Sequence, residues 1–117
     1  MGTATVFQWN ARSLVAHAIE LKHFISTSQI APDVICIQES WLKKDLNFTL
    51  VGYNVIRRER EDGYVGVVTC IKTGISYDVI TNPTNMEVLI VKVKLLTRDL
   101  YIINVYHPLH AALDTND

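Results

Sequence analysis

"PDVICIQESWL", residues 32–42, is the stretch on which the fold turns. Pro32 opens it, and "DVICIQ" then runs apolar without alternation. An unbroken apolar run of this length fits a strand covered on both faces, so a layer is expected on each side of it. The run ends in Glu39, a carboxylate where the chain leaves the strand. Outward from it, "TVFQW" (5–9) reads as a strand. Ser13 is placed as the N-cap of a helix to about Ser26. Leu14, Ala18, Leu21 and Ile25 then form one apolar stripe. Downstream, "YNVIRRE", "VGVVTCIK", "ISYDVI", "MEVLIVKVKLL" and "LYIINVY" read as strands divided by Gly, Asn, Asp and Pro turns. Val91, Val93 and Leu95 alternate with Lys92 and Lys94, so one face of that strand meets water. One early β-α-β unit followed by a strand meander predicts an α/β class with a mixed sheet.

The chain's 117 residues suit one domain with a real core. Apolar residues make up 49% and charged ones 20%, a globular rather than a disordered balance. A formal charge of −1 gives no global signature of a nucleic-acid binder, although a local basic patch would suffice. Cys36 and Cys70 lie in apolar runs without a C-x-x-C partner. They read as buried free thiols of a reducing, intracellular compartment, nuclear or cytoplasmic. "MGTATVFQWN" has neither the basic start nor the apolar run of a signal peptide. Val6 stands where myristoylation wants Ser or Thr. No apolar stretch is long enough to span a bilayer, and no membrane partner is expected.

Three strands end in a polar residue: "VFQWN" at Asn10, "VICIQE" at Glu39 and "YIINVY" at Tyr106. In α/β sheets ligands gather at strand ends. A carboxylate there can hold Mg²⁺, which keeps several waters and reaches a substrate phosphate. Asn amide and Tyr hydroxyl protons can be given to phosphoryl oxygens. Arg12, in the same loop as Asn10, reads as a further candidate for phosphate contact. Polar strand ends are also the ordinary pattern of a protein surface. The residues by themselves leave both readings open. All three strand ends are expected at one rim of a single sheet, with the helix from Leu14 on one of its faces.

"WNARSL" (9–14), "PDVICIQESWL" (32–42), "GYNVIRRER" (52–60), "GVVTCIK" (66–72) and "LYIINVYHP" (100–108) occur in order with regular spacing. Together they resemble the endonuclease/exonuclease/phosphatase superfamily, more narrowly the apurinic-type endonuclease domain of non-LTR retrotransposons of the LINE and jockey kind. The resemblance implies a two-sheet α/β sandwich, a divalent metal (Mg²⁺ or Mn²⁺) and hydrolysis of a DNA phosphodiester. It implies that Glu39 is the metal ligand, that Asn10 contacts the scissile phosphate or helps seat the nucleophile, and that Tyr106 lies against the phosphate.

The family domain is roughly twice this length, as two closed sheets require. Its second half carries an Asp-x-Asn motif, usually within Gly-Asp-Phe-Asn, and later an Asp-His pair near a Ser. The chain ends soon after "VYHP". Asp114-x-Asn116 follows Tyr106 too closely for the intervening helix and strand, and reads as a chance match. Tyr64 and Val65 replace part of the Gly-Gly-Gly that often begins the "GVVTCIK" strand in the family. The whole of 1–117 is thus expected to be a single, truncated domain whose metal binding is weak. It is expected to be inactive alone and to meet its missing half, or a second copy, through an exposed sheet face. Val91, Val93, Leu95, Ile103 and Val105 are the residues expected on that face. The alternative is a catalytically silent fragment that persists as a folded or partner-bound α/β unit.

Other residues read more plainly. His107 and His110 lack a third ligand for zinc. His17 and His23 fall at the helix's solvent edge. Arg57, Arg58 and Arg60 sit among Glu59, Glu61 and Asp62, which reads as a solvated mixed-charge turn in preference to a DNA clamp. Trp41 either packs under its loop or touches DNA, and packing is the commoner fate.

Overall fold

The computed structural model describes residues 2–58, 66–81 and 88–106. The described elements are β1 (Val6–Asn10), α1 (Leu14–Thr27), β2 (Val34–Gln38), β3 (Tyr53–Arg58), β4 (Val67–Lys72), β5 (Tyr77–Ile80), β6 (Val88–Lys94) and β7 (Asp99–Val105). They form a four-stranded sheet in the order β1-β2-β4-β3 and a three-stranded sheet in the order β5-β6-β7. The first sheet is mixed: β1 runs parallel to β2, while β2–β4 and β3–β4 are antiparallel. The second is antiparallel throughout.

β2 is buried at every position, as its unbroken apolar run requires. Its residues alternate between two cores. Ile35 and Ile37, with Val68 and Cys70 of β4, meet Leu14 and Leu21 of α1. Val34 and Cys36, with Val67 and Ile71, meet Leu89, Val91, Val93 and Ile102 of the second sheet. The layers are therefore helix, mixed sheet, antiparallel sheet. Ser13 caps α1, its Oγ accepting the Ala16 amide at 3.3 Å. Leu14 and Leu21 are buried and Ile25 packs beside them, so the stripe read from the sequence faces the sheet.

Two expectations are corrected. The strand ends do not share one sheet, since Asn10 and Glu39 belong with the first and Tyr106 follows β7 of the second. Nor do Val91, Val93 and Leu95 face a missing half. Val91 and Val93 are fully buried, and with Leu95 they pack on the first sheet within this chain. The bare surface is the other side of β7, where Tyr101, Ile103 and Val105 are 57%, 61% and 41% exposed. Both cysteines are buried free thiols. Among the described residues no helix is long and apolar enough to cross a membrane.

Candidate functional site

Strand polarity brings the expected site residues to one end of the molecule. In the β1–β2 register Asn10 stands beside Gln38, so β1 delivers Asn10 where β2 delivers Glu39. Beyond the strands the two segments stay laced together. The Ala11 amide donates to Gln38 O at 2.9 Å, that of Ser13 to Glu39 O at 3.0 Å and that of Leu14 to Ser40 O at 2.8 Å. Across this junction the Asn10 Nδ2 donates to Glu39 Oε2 at 2.5 Å. The carboxylate is half-buried and the amide exposed.

β7 runs over β2 in the same direction: Ile102 lines a cleft with Cys36, and the Asn104 side chain reaches Gln38. Tyr106 thus leaves β7 at the end where Glu39 leaves β2. Side chains alternate along a strand, so Asn104 and Tyr106 share the inward face of β7, while Gln8 and Asn10 share a face of β1. Tyr106 is half-buried against the core between the sheets. The site residues therefore converge on one rim from two sheets.

The sequence reading missed the network beneath that rim. Asn104 is 1% exposed and lies on β7, yet it bonds the other sheet. Its Nδ2 donates to Val68 O at 2.9 Å, Thr69 Oγ1 at 3.2 Å and Ile37 O at 3.3 Å. Its Oδ1 accepts from Gln38 Nε2 at 2.7 Å, and Gln38 Oε1 faces Gln8 Nε2 at 3.5 Å. A buried amide with every group satisfied fixes the sheets in one relation. Its signal in the sequence was a polar residue inside each of three apolar runs: Gln38, Thr69 and Asn104.

The rim is also where the backbone is strained. Among the described residues, the non-glycine positions with positive φ are Arg12 (47°), Ser13 (90°), Glu39 (51°) and Trp41 (52°). Each such residue costs on the order of 1 kcal/mol and persists only where its surroundings enforce it. Arg12 is exposed beside the Asn10–Glu39 pair. Trp41 is not packed under its loop but is 41% exposed. Arg57 and Arg58 are half-buried and bonded to backbone carbonyls rather than simply solvated. Arg57 donates from Nη1 to Leu46 O at 2.6 Å and from Nη2 to Lys43 O at 2.9 Å, holding the loop after Glu39. Arg58 donates to Val88 O at 3.2 Å. His17 packs edge-on to Trp9 rather than standing in solvent, whereas His23 is exposed. Residues 59–65, His107, His110 and Asp114-x-Asn116 lie outside the described residues.

Among the described residues no group of three or more His, Cys, Asp or Glu side chains could enclose a metal. Glu39 alone fits the looser style of Mg²⁺, which is held by one or two carboxylates, by waters and by substrate phosphate. One of its oxygens is engaged by Asn10.

No family model and no curated protein matches the chain. Solved structures do. An AP endonuclease from Leishmania major superposes with a TM-score of 0.66 at 20% identity, covering 88% of this chain and 40% of that one. The endonuclease domain of TRAS1, a telomere-specific non-LTR retrotransposon, gives 0.64 at 21% identity, with coverage of 90% and 46%. A 3' phosphatase, NExo (D146N) from Neisseria, bound to product DNA hairpin, gives 0.60 at 17% identity, with coverage of 89% and 41%. The chain has the α/β fold of these three structures and spans less than half the length of each.

Proposed function

We propose that the chain supplies one half of the active site of a metal-dependent DNA phosphodiesterase, of the endonuclease type found in non-LTR retrotransposons. The observation that carries this reading is the Asn10–Glu39 pair at 2.5 Å, at the strand-end rim of a fold otherwise seen in DNA-processing proteins. Glu39 would hold Mg²⁺ or Mn²⁺, whose bound form supplies a Lewis acid for a phosphoryl oxygen. Asn10 orients the Glu39 carboxylate by donating to Oε2. Its remaining amide proton is available to a phosphoryl oxygen. Tyr106, facing inward at the same rim, would place its hydroxyl against the phosphate. Arg12 would meet a neighbouring phosphate as a fixed positive charge. Among the described residues no group of three or more His, Cys, Asp or Glu side chains gathers here, and the roles assigned to these residues are to bind and orient.

The other half of the site would come from further chain or from a second polypeptide. Two features favour this. The matched structures are more than twice as long as the aligned segment. In addition, β1 and β7 are both edge strands, and they flank one cleft lined by Val6, Gln8, Tyr101 and Ile103. Such edges and apolar faces are ordinarily covered. Alone, the chain should bind Mn²⁺ weakly by calorimetry and leave duplex DNA uncut in Mg²⁺. An unchanged Mn²⁺ titration for Glu39→Gln would defeat the metal assignment. Turnover by a clean monomer, abolished in Glu39→Ala, would defeat the half-site assignment. A catalytically silent, partner-bound unit is the second reading. It is favoured by the bare β7 face, and its mark is self-association with no metal dependence.

A further inference from the structure

The loop after Glu39 is built to present side chains rather than to bury them. Glu39 is half-buried, Ser40 buried, Trp41 exposed, Leu42 buried and Lys43 exposed. Ser40 and Leu42 are each 1% exposed and act as anchors. The Ser40 amide donates to Gly66 O at 3.2 Å, and Leu42 joins the core under α1. Between those anchors Trp41 holds φ 52° and is 41% exposed as a residue. An indole that size gains most by burial, so exposing it from a strained backbone runs against folding stability. Further along, Lys43 and Lys44 are exposed, and Arg57 grips the carbonyls of Lys43 and Leu46. The Lys43 and Lys44 charges thus project from a fixed loop. Two residues span at most about 7 Å, so the Trp41 backbone stands within one nucleotide's reach of that of Glu39.

We propose that Trp41, Lys43 and Lys44 form a DNA-docking strip. Trp41 stacks on a base or sugar next to the phosphate at Glu39, and the two lysines neutralise phosphates further along the same strand. A flat aromatic flanked by mobile cations suits a nucleic-acid strand, because every base has a π-face and every linkage a charge. This rests on the phosphodiesterase reading above and names which side of the rim the strand crosses.

The test is fluorescence anisotropy of a fluorescein-labelled DNA duplex carrying one unpaired base, titrated with the whole chain across a salt series. Trp41→Ala should weaken binding roughly tenfold or more and leave the salt slope alone, as removal of one stacked base does. Trp41→Phe should recover most of the affinity. The pair Lys43→Gln with Lys44→Gln should flatten the slope by about 0.9 for each phosphate left without its lysine. Lys92→Gln with Lys94→Gln, a charge-matched change on β6 away from the rim, should do much less. Trp41→Gly removes the indole where a glycine backbone is at ease. It should weaken DNA binding without a lower unfolding midpoint, which separates docking from folding. Equal affinity of wild type and Trp41→Ala, an equal weakening from the β6 pair, or no DNA binding by wild type would each overturn the strip. The Glu39 metal titration is independent of all these outcomes and judges the phosphodiesterase reading separately.

Discussion

The two sheets solve the same problem differently. The first is covered twice, by α1 on one face and by the second sheet on the other, and β2 at its centre is buried throughout. The second is covered once, and Tyr101, Ile103 and Val105 stand bare on its outer side. Sequence pattern tracks this. "VICI" is continuous, whereas "VKVK" in β6 alternates. On β7, past Asp99 at its start, the alternation is apolar on both faces apart from Asn104. Among the described residues no layer covers this outer face, and an apolar face of this kind is where a further layer would pack. The site grows from the rim where the doubly covered sheet and the singly covered one meet. Rigid positioning comes from the first, and room for a further element from the second.

The sharpest break of this contrast is at the join. Asn104→Ala should cost about 3 kcal/mol, read as a lower urea midpoint, because it takes the acceptor from the buried Gln38 amide and removes the bonds Asn104 gives to Val68, Ile37 and Thr69 across the layers. The bare neighbour Ile103→Thr should shift the midpoint by no more than about 0.5 kcal/mol. On a sizing column it should also reduce any self-association. Equal costs at 103 and 104 would mean the outer face of β7 is buried in solution.

Inside the doubly covered sheet, Ile37→Ala should cost about 3 kcal/mol, from the apolar surface removed and the cavity left behind. The thiols of the same sheet give it a pH signature. Burial pushes Cys36 up to about 11, and burial with the nearby Cys36 pushes Cys70 up to about 12, from the ordinary 9.0. A folded-state pKa above the unfolded one gives stability that is whole below pH 9 and is lost as pH rises toward 11 and 12. Each thiol should contribute a fall of about 1.4 kcal/mol per pH unit across its interval. Cys36→Ala with Cys70→Ala should flatten that alkaline slope in a melting series, and an unchanged slope would place both thiols in contact with water.

The smaller effects lie at the edges of the layers. Ser13→Ala should cost about 1 kcal/mol by removing the acceptor of the Ala16 amide. Arg57→Gln should hardly change global stability, yet it frees the carbonyls of Lys43 and Leu46. Trypsin should then cut after Lys43 and Lys44 faster than in wild type. Unchanged cutting would show that Leu42 and the Leu46–Lys43 backbone bond hold the loop without it.

Periodicity was enough to find the seven strands, the helix and its cap, because each depends on neighbours a few residues away. The continuous run of β2 also fixed that it would be sandwiched. Parallel pairing of β1 and β2 then made the meeting of Asn10 and Glu39 legible, since both end strands that point the same way. What only the tertiary structure decided was partnership across the layers. Val91 and Val93 carry the same pattern whether they face another sheet of this chain or an absent one. Asn104 reads as a lone amide in an apolar strand until the carbonyls of β2 and β4 stand opposite it. Arg57 reads as a solvated charge until a loop lies within reach of its fork. A side chain's period is written in its own segment, but the group it meets is set by how separate segments stack. That is a property of the packed layers and of no single stretch of sequence.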